Sequence, residues 1–300
     1  WIVYAGITAA CIVSLRIAGM SWFDAVFHAF SALALGGFST HDASVGYFDS
    51  VAIEVVLTFF MMVAALNFAS HFLAWRARNP LVYLRDPEAK AVWFVLIASS
   101  VGVAAYLYNA GTYPSFWIAL RHASFNLVSI ATDCGFASVD FDKWPALAPI
   151  WMLFLSCVVC SSGSTGGGIK MVRTLILIKQ AGREMLLLRH PSATNPLKLG
   201  GTVIANRVVF SVLAFIVVYF ISVATLTFLL MAGGLDFISS FSAIIACINN
   251  MGPGLNQVGP ATNYQVLTDF QTWVCTFAML LGRLELFTLL ILFTPAFWRS

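Results

Sequence analysis

The stretch Ser161-Ser162-Gly163-Ser164-Thr165-Gly166-Gly167-Gly168-Ile169-Lys170 breaks an apolar run that otherwise extends from about Trp151 to Leu188. Four glycines within six residues cannot stay helical, since each is disfavoured by about 1 kcal/mol relative to alanine. A broken backbone at membrane depth leaves amide and carbonyl groups without helical partners. Hydrocarbon tolerates that only where the break is buried in protein or lines a wet cavity. The segment therefore points to a permeation path.

The run is one of several. Of the 300 residues, 60% are hydrophobic and 10% charged, against about 25% charged in a soluble domain. Apolar stretches of spanning length, about 17–25 residues, lie near 2–19, 51–75, 91–110, 146–188 with its break, 203–232 and 268–298. They predict an all-α polytopic membrane protein with six spanning segments. Basic residues cluster in 76–90 (Arg76, Arg78, Arg85, Lys90) and 170–207 (Lys170, Arg173, Lys179, Arg183, Arg189, Lys198, Arg207), with Arg299 near the end. The positive-inside rule makes these stretches cytoplasmic. The opposite connections carry Asp24, Asp42, Asp49, Asp140, Asp142 and Asp236 against Lys143, an acidic face that concentrates cations at its mouth. Trp1 opens inside an apolar run with no Met and no basic n-region. No signal peptide is read, and the chain is expected to begin inside a longer protein.

A repeat organises the spans. Residues 22–40 are apolar but too short to cross, and end at Gly36-Gly37-Phe38-Ser39-Thr40-His41-Asp42; 114–134 leads likewise into Gly135-Phe136-Ala137-Ser138-Val139-Asp140, and 236–251 into Gly252-Pro253-Gly254-Leu255. Aligned on Gly37 and Gly135, the first two turns share G-F-[SA]-[ST]-x-D, with Phe27 and Phe125 ten residues upstream and Ser31 and Ser129 six upstream. Each unit reads span, short re-entrant helix, glycine turn, span, with a period of about 100 residues. Every copy starts on one side and ends at a basic segment, so the copies are parallel and surround an axis along the membrane normal.

That arrangement suits ion coordination. A half-membrane helix followed by an extended glycine turn directs backbone carbonyls at the axis, where they replace an ion's water shell. Glycine is needed because the turn must reach positive φ and no side chain can block the axis. Three modules do not close the usual four-fold cation filter, so an N-terminal module is expected to be missing.

These motifs carry a resemblance. GGFSTHDAS at 36–44, GFASVDFDKWP at 135–145, SSGSTGGGIK at 161–170 and CINNMGPGL at 247–255 together resemble the membrane subunit of the Trk/Ktr/HKT potassium-transporter superfamily, most of all its bacterial Trk branch. The resemblance covers essentially the whole chain and implies parallel helix/re-entrant-helix/helix repeats around a pseudo-four-fold pore. The modules would be 1–75, 76–200 and 201–300, the family's second to fourth. It implies a potassium filter of backbone carbonyls at Leu35, Gly36, Gly37 and Phe38, at Asp133, Cys134, Gly135 and Phe136, and at Asn250, Met251, Gly252 and Pro253. The gate would be the intramembrane loop of Ser161, Ser162, Gly163, Ser164, Thr165, Gly166, Gly167 and Gly168, together with Arg283. It further implies a multi-pass protein of the bacterial inner membrane that forms a homodimer and binds a cytoplasmic nucleotide-sensing ring through the basic segment 170–207. Potassium would be the transported ion, with no covalently bound cofactor and no nucleic-acid partner.

Several side chains invite separate readings. Asp133-Cys134 stands where small or hydroxylated residues are more usual. A carboxylate there either strengthens cation binding on the axis or turns behind the turn to accept backbone N–H bonds; the second is favoured, because a bare charge on the axis binds too tightly for fast passage. Arg283 lies inside the last span, where an arginine costs about 2.5–3.5 kcal/mol on insertion scales. It either snorkels to an interface or faces the pore as a positive barrier or latch, and the resemblance supports the latter. Asn249 and Asn250 are read as capping their re-entrant helix. His28 and His122 are expected to hydrogen-bond locally, and no histidine shows metal-ligand spacing.

Other classes lose on spacing. The six cysteines read as buried small hydrophobes, and Cys157-Val-Val-Cys160 lacks the second ligand pair of a zinc site. Lys170 does not follow glycine directly, as a phosphate loop requires. Ser39-Thr40-His41-Asp42 cannot form a triad from adjacent residues, so no enzyme is read. The alternative to a gated pore is a symporter coupling the cation to H⁺ or Na⁺ through a buried carboxylate relay, for which Asp133, Glu54 and Glu285 are the candidates.

Overall fold

The computed structural model describes residues 1–192, 195–284 and 286–298; Glu285 and Arg299 lie outside the described residues. Three times the chain runs long helix, short helix, turn, broken helix. The first unit is α1 (Ile2–Ile17), α2 (Trp22–Ala34), then α3 (Val51–Ala64) and α4 (Phe68–Ala77), followed by the short α5 (Leu81–Arg85). The second is α6 (Pro87–Asn109), α7 (Phe116–Ala131), α8 (Leu147–Val158) and α9 (Met171–Arg189). After a two-stranded hairpin, Lys198–Leu199 against Thr202–Val203, come α10 (Asn206–Ala232), α11 (Phe237–Asn249), α12 (Asp269–Arg283), and the short α13 (Leu286–Leu290) and α14 (Pro295–Trp298).

Each short helix starts at a side-chain cap: Ser21 accepts from the Asp24 amide, Ser115 from Trp117 and Asp236 from Ser239. Such caps satisfy amides that the helix itself leaves orphaned. Each also ends in the same way. Leu35, Asp133 and Asn250 stand in the left-handed region at φ 52°, 63° and 57°. The next amide reaches back to a carbonyl five residues earlier: Gly36 to Ser31 at 2.8 Å, Cys134 to Ser129 at 2.9 Å and Met251 to Ala246 at 2.8 Å. This is a six-to-one closure of a helix C-terminus. Asp and Asn enter the left-handed region more readily than other non-glycine residues, and for Leu35 the conformation costs about 1–2 kcal/mol.

The short helices occupy the centre. Ala243 to Asn249 of α11 are buried without interruption, and so are Phe125 to Ala131 of α7. The long helices turn large apolar side chains outward, among them Phe94, Phe210, Phe220 and Phe228. On a soluble protein this exposure would mark an aggregation surface; here it faces lipid. Helices α6 and α10, of 23 and 27 residues, are each long and apolar enough to cross a bilayer unbroken.

The expectation of one broken span is corrected. All three second helices break: α3 and α4 meet at 95°, α8 and α9 are separated by the glycine-rich loop, and α12 stops at Arg283 with α13 bent away. At the first break Ala65 closes α3, and the Asn67 side chain caps α4 by accepting from the Ala69 amide at 2.8 Å. No glycine announces that break.

Neighbouring units are tied on the acidic face by a group that sequence reading passed over. Arg121 of α7 donates from Nε and Nη2 to the two carboxylate oxygens of Glu54 on α3 at 3.1 and 2.8 Å, and from Nη2 to Asp49 at 2.8 Å. The Glu54 side chain is 4% exposed, so removing its partner strands a buried charge at about 3 kcal/mol or more. Arg121→Met should lower the thermal midpoint of the detergent-solubilised protein clearly, and adding Glu54→Gln should recover most of the loss. Fluorescence-detected melting of both variants tests this.

Candidate functional site

The three glycine turns pack in order around one centre. A Cβ added at Gly37 would lie 2.1 Å from the Cys134 carbonyl oxygen, and one at Gly135 would lie 2.1 Å from that of Met251. Each turn therefore abuts the backbone of the next, at a separation only glycine permits. Gly252, last in the series, faces nothing within 4 Å. Phe136 is fully buried and stacks on His28 of the preceding unit at 5.7 Å, whereas its counterpart Phe38 is 79% exposed. The ring of turns is thus closed at two junctions and open between Gly252 and Phe38.

Side chains of the short helices fix the segments leaving the turns. His28 Nε2 lies 2.9 Å from the Ser39 hydroxyl; Asn126 donates to the Ser138 hydroxyl at 2.9 Å and accepts from the Ser138 amide at 3.1 Å; Ser242 accepts from the Leu255 amide at 2.9 Å. His28 therefore bonds locally, as expected, while His122 stacks on Tyr113. The Tyr264 hydroxyl donates to the Gly252 carbonyl at 2.8 Å, which leaves that oxygen one lone pair. At the rim of this acidic face, outside the spans, the Thr40 hydroxyl donates to Asp24 at 2.6 Å and holds its carboxyl below the usual carboxylate range.

The glycine-rich loop lies across the C-terminal ends of all three short helices. Thr165 Oγ1 donates to the Leu33 carbonyl of α2 at 3.0 Å. The Gly167 amide donates to Asp133 Oδ2 at 2.9 Å, just past α7. A Cβ at Gly167 would lie 2.0 Å from the Asn249 carbonyl oxygen of α11, and one at Gly166 would lie 3.0 Å from that of Thr132. The loop is also held from outside: Ser161 donates to the Ala65 carbonyl at 3.0 Å, Ser162 to Glu88 at 3.1 Å, and Phe68 donates to the Gly163 carbonyl at 3.3 Å. The break in α3/α4 thus supplies partners for the break in α8/α9.

Two cations sit on the loop's other side. Arg283 donates to the Thr165 carbonyl at 3.4 Å, and Lys170 Nζ donates to the Gly166 carbonyl. Arg173 stacks over Phe215 at 3.9 Å. A cavity of about 430 Å³ opens there, lined by the loop, these three cations, Tyr219 and Asn250.

Most residues singled out in sequence are brought together, with two refinements. Asp133 turns away behind the turn to the loop amide, the second of the two readings. Asn250 caps α11 as expected, but Asn249 does not. Its amide donates to the Ser156 hydroxyl at 2.9 Å and its oxygen accepts from Tyr219 at 2.8 Å, tying α11 to α8 and α10. Sequence reading missed Tyr219, Tyr264, Glu88, and the part played by Lys170. Tyr219 and Glu88 act through contacts 30 and 74 residues away, which no local pattern reveals; Tyr264 and Lys170 reach carbonyls 12 and 4 residues back, in turns whose course sequence does not give. Cys157 and Cys160 are buried, and no group of three or more metal-ligating side chains occurs among the described residues.

Glycine turns packed in order at the centre of three parallel helical repeats define the class: an all-helical, polytopic membrane protein. The chain matches the TrkH family, described as cation transport protein, over residues 1–300. It is 41% identical over 300 residues to the Trk system potassium uptake protein TrkH of Halomonas elongata, covering all of this chain and 62% of that protein. With the Escherichia coli protein of the same name it shares 39% identity, again over all of this chain and 62% of the relative. The fold superposes on the crystal structure of the potassium transporter TrkH from Vibrio parahaemolyticus with a TM-score of 0.94 at 42% identity, covering 99% of this chain and 64% of that one. The chain belongs to the TrkH family of membrane transport proteins, which are not enzymes, and it spans about 62% of the length of these curated relatives.

Tyr219 offers a direct check on the packing under the turns. Tyr219→Phe leaves the fully buried Asn249 oxygen without its donor, at about 1–3 kcal/mol. The thermal midpoint should fall while the far-ultraviolet helical signal is kept; an unchanged midpoint would show that the contact contributes nothing.

Proposed function

We propose that this chain carries three quarters of a potassium pore whose filter is built of backbone carbonyls and whose gate is the glycine-rich loop. The observation that carries the reading is the ordered packing of the turns at Gly37, Gly135 and Gly252, with one open quadrant at Gly252 and Phe38. A fourth turn supplied by a preceding module would fill that quadrant. The modules are 1–75, 76–200 and 201–300. The relatives' names, Trk system potassium uptake protein, support potassium as cargo.

In this mechanism an entering ion exchanges water for carbonyls at 35–38, 133–136 and 250–253 and for those of the fourth module. Neutral dipoles hold it firmly enough to select and weakly enough to release. Acidic groups on the entry face raise the local cation concentration. Beneath the filter the loop 161–168 obstructs passage, and Arg283, donating to the Thr165 carbonyl, sets a positive charge in the path. Coupled symport is less well supported. Its carboxylate candidates are engaged, Glu54 by Arg121 and Asp133 by Gly167, and Glu285 lies outside the described residues. The whole subunit would work in the bacterial inner membrane as a homodimer, its basic segment 170–207 meeting a cytoplasmic nucleotide-binding ring.

The test uses the full-length parent subunit in a potassium-transport-deficient bacterium. Potassium-selective uptake is expected. Gly135→Ser, which drives a side chain against the Met251 carbonyl, should reduce discrimination against sodium by about tenfold, or about 1.4 kcal/mol. Gly167→Val should instead change flux strongly and leave ion preference intact. Transport of neither ion by a membrane-inserted subunit supplied with its partner would remove the pore reading.

A further inference from the structure

The peptide group joining Gly166 to Gly167 sits between two opposite charges. Its N–H donates to Asp133 Oδ2 at 2.9 Å, and its carbonyl accepts from Lys170 Nζ. The peptide dipole is therefore aligned with the field of both ions, its positive end on the carboxylate and its negative end on the ammonium. Hydrogen bonds to charged groups are roughly twice as strong as neutral ones, and a low-dielectric setting strengthens them further. Asp133 is 1% exposed. A carboxylate so buried needs compensation: Oδ2 has the hydrogen bond from this peptide, Oδ1 has none among the described residues, and the Lys170 ammonium lies on the peptide's other end.

The two charges belong to different parts of the machine. Asp133 is the left-handed residue that follows α7 and opens the second glycine turn. Lys170 is the residue from which α9 springs, and its own backbone is held at φ 77° and ψ 143°. That conformation is sparsely populated for a side-chain-bearing residue and persists only where surroundings enforce it. Helix α9 then runs into the basic face, where Lys179, Arg183 and Arg189 lie.

We infer that Asp133 and Lys170 form an ion pair acting through the Gly166–Gly167 peptide, and that this pair holds the loop shut and couples its release to movement of α9. Withdrawing α9 pulls the ammonium off the Gly166 carbonyl. The peptide is then free to rotate, and the Gly167 N–H leaves Asp133. The filter turn and the loop are thereby released together. The Asp133 and Lys170 side chains act by positioning: neither side chain has to touch the permeating ion. The inference rests on the loop being the gate.

The experiment measures rubidium influx into proteoliposomes holding the full-length subunit without any regulatory partner, for wild type, Lys170→Met, Lys170→Arg, Asp133→Asn/Lys170→Met and Arg283→Gln. Lys170→Met should raise this basal influx at least about tenfold, Lys170→Arg should leave it near wild type, and the double variant should leak no more than Lys170→Met. Purely structural damage would not spare the charge-conserving variant. Wild-type influx in Lys170→Met, or equal leakage in Lys170→Met and Lys170→Arg, overturns the pair. If Arg283→Gln leaks while Lys170→Met stays tight, the gate reading stands and the pair falls; if none of them leaks, the gate reading falls with it.

Discussion

A peptide group left unpaired in hydrocarbon costs several kcal/mol, and this chain abandons helical geometry at membrane depth again and again. Several of these departures lie against one another. The turn at Gly37 is covered by the backbone of the turn at Gly135, which is covered by that at Gly252. The loop at 161–168 is paired with the break at Ala65–Phe68 and with the ends of α2, α7 and α11. Irregular backbone here satisfies irregular backbone, so the pathway and the means of stabilising it are one structure.

Glycine acts at these places through space as much as through torsion. Gly37 and Gly135 combine positive φ with a neighbouring carbonyl where a Cβ would stand, whereas Gly167 is needed for close approach to Asn249. The left-handed step itself falls on Leu35, Asp133 and Asn250, one per unit. This accounts for Asp133 without invoking the ion: the residue suits the helix ending, and its carboxylate is turned to the loop behind. One side chain thereby serves the turn's conformation and the loop's position.

The spacing of the glycine turns, the re-entrant helices before them and the long break in the second unit were all legible in the sequence. Glycine runs within apolar stretches are loud local signals, and self-similarity over about 100 residues gives the topology. The breaks after Ala64 and Arg283 were not legible, because no glycine run or proline marks them; Asn67 as a helix cap was the one cue to the first. Nor could local pattern find Arg121 with Glu54, Asp133 with Gly167, or Tyr219 with Asn249, pairs separated by 67, 34 and 30 residues. That the Asp133 side chain turns behind its turn was the favoured reading, but its partner, the Gly167 amide, was not legible for the same reason.

The central claim is that the turns 35–38, 133–136 and 250–253 bind the permeating cation with their carbonyls. Anomalous scattering from thallium, a heavy stand-in for potassium, in crystals of the full-length subunit would test it directly. Thallium on the axis, ringed by these three turns and lost in Gly135→Ser, is the expected result. An empty ring, at a thallium concentration that supports flux through the same protein, would contradict it.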